Sequence, residues 1–363
     1  MAEQTEPTEP ASTRASTAPH PDDRRKPDSP TDITKPSWVY VLKKTLREFS
    51  RDQCTDVAAS LTYYAVLAIF PALLAFVSLL GLFGQAEATT GALLDLLAGF
   101  VPADTVETIR GPIEDLIRTP GAGLVFVVGI VGAIWSASGY VGAFSRAMNR
   151  IYAIEEGRTF LQLRPMQLLV TVITIVLLTI AAVLLVLSGP VAKALGEFIG
   201  LGEVALAVWN IAKWPVVVFI AVFVIALLYY AAPNIKQPKF RWISIGALFA
   251  LVVWALASLG FGFYVTNFGN YSSTYGSLAG VIIFLLWIWI SNLALLFGAE
   301  LDSELERGRE LQAGIRAEET VQLPPRGTKR SDKAAEQRAG DVLAGLELRK
   351  AHTDEPAEPN EKR

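Results

Sequence analysis

One cysteine, Cys54, leaves no intramolecular disulfide and no cysteine-based metal cluster for this chain to form. Histidine is almost as scarce. His20 and His352 both lie in polar terminal segments, so no His-rich or His/Cys metal site and no Ser/His/Asp triad can be assembled among the apolar segments between them. Charge is sparse too: 18% of the 363 residues are Asp, Glu, Lys or Arg, against roughly a quarter in an average soluble domain. The net charge of −3 comes with no concentrated basic patch, and nucleic acid is not an expected partner. No Walker loop is present, and no dinucleotide fingerprint follows a strand. The first 35 residues are rich in Pro, Thr and Glu rather than apolar. No secretory signal peptide is evident, and the first apolar run is the expected insertion signal. These absences predict a protein that is not an enzyme and has neither a cofactor nor a metal site.

What the chain has instead is long apolar runs, with 52% of its residues hydrophobic. The run from Gly276 to Ala299 contains no charged residue and is long enough to cross about 30 Å of hydrocarbon. A buried helix of a soluble protein could look the same in isolation, but comparable runs recur along the sequence. The predicted fold class is all-α, a polytopic transmembrane helical bundle of six spans, at about 57–84, 121–144, 166–187, 212–232, 243–265 and 276–299. Counts of five or seven follow if the 188–210 connection or Pro71 is read differently. Lys43, Lys44, Arg47 and Arg51 precede the first span; Arg146, Arg150, Arg158 and Arg164 lie between the second and third. Lys236, Lys239 and Arg241 follow the fourth, and Arg307 and Arg309 follow the sixth. Every basic flank therefore falls on one side of a six-span bundle, which places both termini in the cytoplasm.

Outside the 36–309 membrane domain, composition predicts disorder over 1–35 and over most of 310–363, with at most a short helix near Val342 to Leu348. Trp38, Val41, Leu42, Leu46 and Phe49 recur at helical spacing, with Lys43, Lys44, Arg47 and Arg51 on the other side. That amphipathic helix at 37–50 either lies on the membrane surface or packs on its own protein. The acidic loop 85–120 carries an apolar face at Val106, Ile109 and Ile113 that predicts further helix. Pro71 sits inside the first span and predicts a kink there. Small residues from Gly129 to Ala143 predict close packing of the second span; SASGYVGAF at 136–144 reads as tight helix packing rather than a cofactor loop.

Candidate functional residues gather at the ends of the spans. Asp56, Tyr63 and Tyr64 open span one, Arg146, Asn149 and Arg150 close span two, and Glu300 and Asp302 close span six. A network of Asp56, Glu300, Arg146 and Arg150 would neutralise charge at the cytoplasmic rim, either as a structural lock or as a gate or ion site. On the opposite side, Asn270, Tyr271, Tyr275 and Gly276 belong to an uncharged polar turn that either recognises a solute or simply anchors tyrosines at the interface. No ionisable group lies at the midplane, which argues against a proton-relay pump.

AASLTYYAVLAIFP at 58–71, AMNRIY at 147–152, RP at 164–165, APN at 232–234 and YSSTYGSLAGVIIFLLWIWISNLALLFGAEL at 271–301 together resemble the YihY/BrkB family of bacterial inner-membrane proteins. The resemblance covers about residues 36–309 and implies an all-helical integral membrane domain. It sets Tyr64, Pro71, Asn149, Pro165, Pro233, Tyr275, Gly276, Gly298 and Glu300 on motif positions, while Ala68 stands where many relatives have a small hydroxyl residue. Members of that family have carried a ribonuclease BN label, which the residues here do not support. The expected function is transport or handling of an envelope lipid, ion or small solute; the alternative is a structural or scaffolding membrane protein. Membrane lipids are the expected partners, with homo-oligomers and cytoplasmic proteins bound through the tails left open.

Overall fold

The computed structural model of the chain describes residues 11–81, 122–186, 203–238, 240–268 and 279–353. Among them the regular elements are helices: α1 (Ala11–Thr17), a 3-10 turn (Pro30–Asp32), α2 (Lys35–Arg51), α3 (Cys54–Gly81), α4 (Ala122–Ile151), α5 (Phe160–Val186), α6 (Glu203–Ala231), α7 (Phe240–Phe268), α8 (Ala279–Gln312) and α9 (Lys329–Thr353). Four stretches are long and apolar enough to cross a membrane: Phe160–Leu185, Ala207–Ala231, Ile245–Asn267 and Ala279–Gln312. Their outer surfaces carry exposed Leu169, Val176, Phe219, Leu256, Leu259 and Phe263. Such a surface is matched to hydrocarbon rather than to water.

The six long helices α3 to α8 form a closed ring in chain order. Each packs on its neighbour in sequence, and α8 closes the ring against α3. α4 also reaches α6 and α8 across the ring. At that crossing the Phe144 ring stacks between Tyr140 and Tyr229, with centroids 6.3 and 6.1 Å away.

Two glycines set how closely α7 and α8 approach. A Cβ on Gly298 would lie 2.5 Å from the Ala250 Cβ and 2.8 Å from the Gly246 carbonyl oxygen, and one on Gly246 would lie 2.1 Å from Asp302 Oδ1. Backbone contact of this kind is the general way membrane helices gain packing when lipid supplies no hydrophobic drive between them.

Beyond Ala299, α8 continues as a charged helix that is nevertheless buried from Glu300 through Glu310. It is covered on one side by α2, whose Val41 side chain meets Gly308 and whose Phe49 ring packs edge-on against Phe297, 5.5 Å between centroids. Since Ser37 binds Gln312 at the far end, α2 runs antiparallel alongside α8. The amphipathic helix therefore packs on its own protein, along the α8 extension. Its Val41 and Thr45 are buried against α8, while Val39, Leu42 and Leu46 stay exposed.

The described parts of the terminal segments, 11–35 and 310–353, depart from the disorder expected over 1–35 and most of 310–363. The Lys26 ammonium is inserted between Glu306 and Glu310, at 2.7 and 3.1 Å, with all three side chains almost fully buried. Arg307 binds Glu304 and donates to the Ala317 and Glu319 carbonyl oxygens. Arg326 donates to the Ile235 and Tyr230 carbonyl oxygens, and Pro325 forms an isolated bridge with Ile235. Beyond it α9 spans 25 residues rather than a short piece. These segments are held by ion pairs and hydrogen bonds to the α8 extension and the neighbouring helix ends, together with burial of a few apolar side chains, Ile33, Val321 and Leu323, whose partners lie far away in sequence.

Some boundaries moved. α6 begins at Glu203 and takes in Trp209 and Asn210, and α5 begins at Phe160, which leaves Pro165 inside the helix rather than at its start. Pro71 falls within α3. The predicted helices of the 85–120 loop, most of the 188–210 connection and the turn with Asn270, Tyr271, Tyr275 and Gly276 lie outside the described residues.

The glycine contact yields a direct test. Gly298→Ala forces α7 and α8 apart and destabilises the bundle by about 1–3 kcal/mol. Gly280→Ala, on the same helix with open space at its Cβ position, is neutral or gains up to ~1 kcal/mol. Melting temperatures of the purified variants in detergent check both; equal shifts would refute the contact.

Candidate functional site

The described ends of the long helices that meet the terminal segments make up one charged end of the ring. Two turns and both terminal segments gather there, and the sequence-predicted site residues separate into three places.

The first is a lock. Asn149, at the end of α4, accepts the Asn234 N–H through Oδ1 at 2.7 Å and donates to Glu156 Oε2 at 3.0 Å. Asn234 in turn donates to the carbonyl oxygens of Glu155 and Gly327 at 2.9 and 2.8 Å. The buried Arg158 donates to Ala232 O at 2.7 Å and Ser145 Oγ at 3.2 Å and pairs with Glu156 at 2.7 Å, so it caps the C-terminus of α6. Burial opposes charge on Glu156, but Arg158 and Asn149 outweigh it and hold its carboxyl below the usual range.

The second place is a buried acid cluster. Cys54, the first residue of α3, donates its thiol to Glu300 Oε1 at 3.4 Å, while Glu300 Oε2 is buried without a hydrogen-bond partner. Burial is the main influence on Asp52, close to Glu300, and raises its pKa, with Arg150 and Arg51 nearby acting the other way. Asp302, also buried, accepts the Gly246 N–H at 3.0 Å through Oδ1, while its Oδ2 has no hydrogen-bond partner. Glu300 and Asp302 are thus turned into the packing and not toward an arginine.

The third place is open. Asp56 and Ser60 on α3 face Arg146 and Arg150 on α4 across a cleft of about 390 Å³ that also touches Val57, Leu61, Ala143 and Ala147. Arg146 lies over the Tyr64 ring, 5.5 Å from its centroid. Tyr64 meets Tyr63 edge-on at 5.4 Å, and Tyr63 is exposed. Arg150 donates to the Asp52 carbonyl oxygen at 3.3 Å. The structure therefore brings Asp56, Arg146 and Arg150 together, with Tyr63 and Tyr64 beside them, and sets Glu300, Asp302 and Asn149 apart from them.

Further along the ring, two features escaped the sequence reading. Tyr140 donates to Asn292 Oδ1 at 2.8 Å, Asn292 donates to Thr62 Oγ1 at 3.2 Å, and Thr62 donates to the Ala58 carbonyl oxygen at 2.8 Å. This chain ties α4, α8 and α3 together. Asn292 was visible as an amide inside an uncharged apolar run, a signal that usually marks a partner across a helix interface. The other feature is an apolar cavity of about 360 Å³ between α3, α4, α5 and α6, bordered by Ala65, Ala68, Ala137, Tyr140, Thr174 and Val224 among others. The Thr174 hydroxyl there has no hydrogen-bond partner, although Thr171 and Thr179 on the same helix each donate to the carbonyl one turn earlier. Among the described residues no three His, Cys, Asp or Glu side chains converge as metal ligands.

The acid cluster makes stability depend on pH. Folding raises the Asp52 pKa, so the folded protein holds that proton more tightly than the unfolded chain. Stability is full below the ordinary carboxylate pKa and falls as pH rises toward the folded value. Asp52→Asn removes the buried titrating carboxyl and flattens that decline, with a higher melting temperature at neutral pH. Melting curves in detergent across the acidic to neutral range check it; a variant curve parallel to the wild type would refute it.

The sequence profile of the Virulence factor BrkB family matches residues 45–322. YfkH of Bacillus subtilis, whose name calls it ribonuclease-like, is 29% identical over 270 residues, 74% of this chain and 96% of that protein. A UPF0761 membrane protein of Alkalilimnicola ehrlichii is 33% identical over 272 residues, 74% of this chain and 57% of that protein. Another, from Pseudoalteromonas atlantica, is 27% identical over 276 residues, 74% of this chain and 88% of the relative. No solved structure matches the chain. The profile takes in all six helices of the ring, together with the C-terminal part of α2 and the segment that follows the α8 extension, and the chain belongs to the BrkB virulence-factor family of multi-pass bacterial membrane proteins.

Proposed function

We propose that this protein handles lipids of the bacterial envelope by a noncatalytic route, moving or holding amphiphiles between its helices. The observation that carries the reading is the apolar cavity of about 360 Å³ between α3, α4, α5 and α6. Its size is that of a ligand site, and its alanine-rich wall offers an ion or a sugar almost nothing to replace lost water. An acyl chain loses no hydration there. The polar interior of the ring supports the same choice over an ion path, because the Tyr140, Asn292 and Thr62 side chains satisfy one another. In this reading all six ring helices span the membrane, the charged end faces the cytoplasm with both termini, and RNA is not a substrate. YfkH's ribonuclease-like name does not alter it, because the cationic cleft on α3 and α4 is a single short pocket and not a groove that could track a nucleic-acid backbone.

A structural role is the second reading, and one observation favours it. The hydrogen-bonded lock of Asn149, Asn234, Arg158 and Glu156 ties the turns of the charged end into one unit. Such a unit suits a scaffold that presents its terminal segments to partners or to a second copy.

Reconstitution separates the two. Proteoliposomes carrying the wild type exchange a fluorescent phospholipid between leaflets faster than empty vesicles. Filling the cavity with Ala137→Phe or Ala68→Phe slows that exchange about tenfold, the equivalent of ~1.4 kcal/mol in the barrier. Ion leak stays at the level of empty vesicles. No phospholipid exchange above that level, or exchange indifferent to both cavity substitutions, would leave the scaffold reading standing in its place.

A further inference from the structure

We infer that the cleft between α3 and α4 binds the headgroup of an aminophospholipid, with its phosphate on Arg146 and Arg150 and its ammonium on Asp56. This rests on the lipid-handling reading and names the chemistry the site would select.

The cleft has two unlike walls. The α4 wall presents two guanidiniums one helical turn apart, the spacing that sets side chains on one face. Neither has spent its charge on a carboxylate hydrogen bond: Arg146 rests on the Tyr64 ring, and Arg150 donates to a backbone carbonyl oxygen of Asp52. Paired guanidiniums with free N–H groups are the usual recognition element for a phosphate, which takes several of their donors at once. Resting one of them on an aromatic ring fixes its direction without using its charge.

The α3 wall is different in kind. It offers the exposed Asp56 carboxylate and the Ser60 hydroxyl. A purely anionic headgroup would satisfy the arginines and leave Asp56 facing a like charge. A phosphodiester bearing a primary ammonium answers both walls, with charges of the right sign in the right order. Ammonium N–H groups can donate to Asp56 and Ser60, whereas a quaternary choline cannot. The cleft volume of about 390 Å³ is ample for such a headgroup.

Its position suits a lipid. Cys54, one turn or less before Asp56 on α3, contacts Glu300, the first charged residue after the apolar run of α8. The cleft thus lies at the level where apolar surface gives way to charge, which is where phospholipid headgroups sit. Val57, Leu61 and Ala143 supply an apolar floor for the first carbons of the chains.

Binding to the full-length protein in detergent tests this, with titration by short-chain phosphatidylethanolamine, phosphatidylglycerol, phosphatidylcholine, diacylglycerol and inorganic phosphate. Phosphatidylethanolamine is expected to bind tightest. Arg146→Gln and Arg150→Gln each weaken the ethanolamine and glycerol lipids about tenfold or more, as expected for a lost charge-assisted contact worth ~1.5–3 kcal/mol. Asp56→Asn abolishes the preference for phosphatidylethanolamine over phosphatidylglycerol and leaves phosphatidylglycerol bound as well as before or better, which also shows that the variant is folded. Ethanolamine lipid binding no tighter than diacylglycerol would overturn the inference, as would an Asp56→Asn variant with an unchanged preference. Inorganic phosphate that competes fully at concentrations comparable to the lipid would overturn the lipid as ligand and leave a phosphate site. Ala137→Phe is expected to leave these affinities intact. Headgroup binding without phospholipid exchange in vesicles would therefore sink the lipid-movement reading and spare the cleft; exchange indifferent to all three cleft variants, with no headgroup preference, would do the reverse.

Discussion

The α8 helix leaves its apolar run carrying Glu300, Asp302, Glu304, Glu306, Arg307, Arg309 and Glu310, and all of them are buried. Burying charge is costly unless it is paired and hydrogen-bonded, and the architecture of the charged end follows from that constraint. Arg307 and Arg309 each pair with the glutamate three residues earlier on the helix. Lys26 arrives from the N-terminal segment to serve Glu306 and Glu310, and the Gln322 N–H arrives from the C-terminal segment to bind Glu310 Oε2 at 2.7 Å. Glu300 is left with the Cys54 thiol on one oxygen and no hydrogen-bond partner on the other. The two terminal segments are ordered because the α8 extension needs them, and the extension is buried because they cover it.

The same helix also fixes the ring. Gly298 and Gly246 let α7 and α8 touch backbone to backbone, and the Asp302 carboxylate fits the space that a Gly246 side chain would fill. About three turns beyond Gly298, the direction of α8 sets where α2 can lie, since Val41 meets Gly308. The charged end is therefore rigid by construction on its α7, α8 and α2 sides. On the α3 and α4 side the packing opens into a cleft that keeps two arginines and a carboxylate uncommitted to one another. The contrast between a locked flank and an open one is what makes the cleft the natural place for a ligand.

Much of this was legible from residue pattern alone. Apolar runs located the long helices, because a bilayer demands length and backbone self-satisfaction whatever the neighbours do. Small residues in α4 announced close packing. Candidate site residues were chosen as polar groups next to spans, and Asp56, Arg146 and Arg150 do share one cleft. Their expected partner Glu300 does not join them. Its neighbours Asp52 and Cys54 come from the junction between α2 and α3, where Gln53 adopts a positive φ of 54° to turn the chain, and no periodicity encodes which way that turn aims a carboxyl.

The sequence by itself determined the class of protein: a helical membrane chain whose single cysteine allows no intramolecular disulfide. Those are properties of composition and order, which survive without knowledge of contacts. The tertiary structure alone decided which charges are spent and which are free. It buried the acids of α8 and recruited the tails to neutralise them. It also laid α2 along α8, because its Val41 and Thr45 face found a helix to pack on. Pairing depends on the distance between side chains far apart in sequence, and only the closed ring brings Asp56 opposite Arg146 and Arg150.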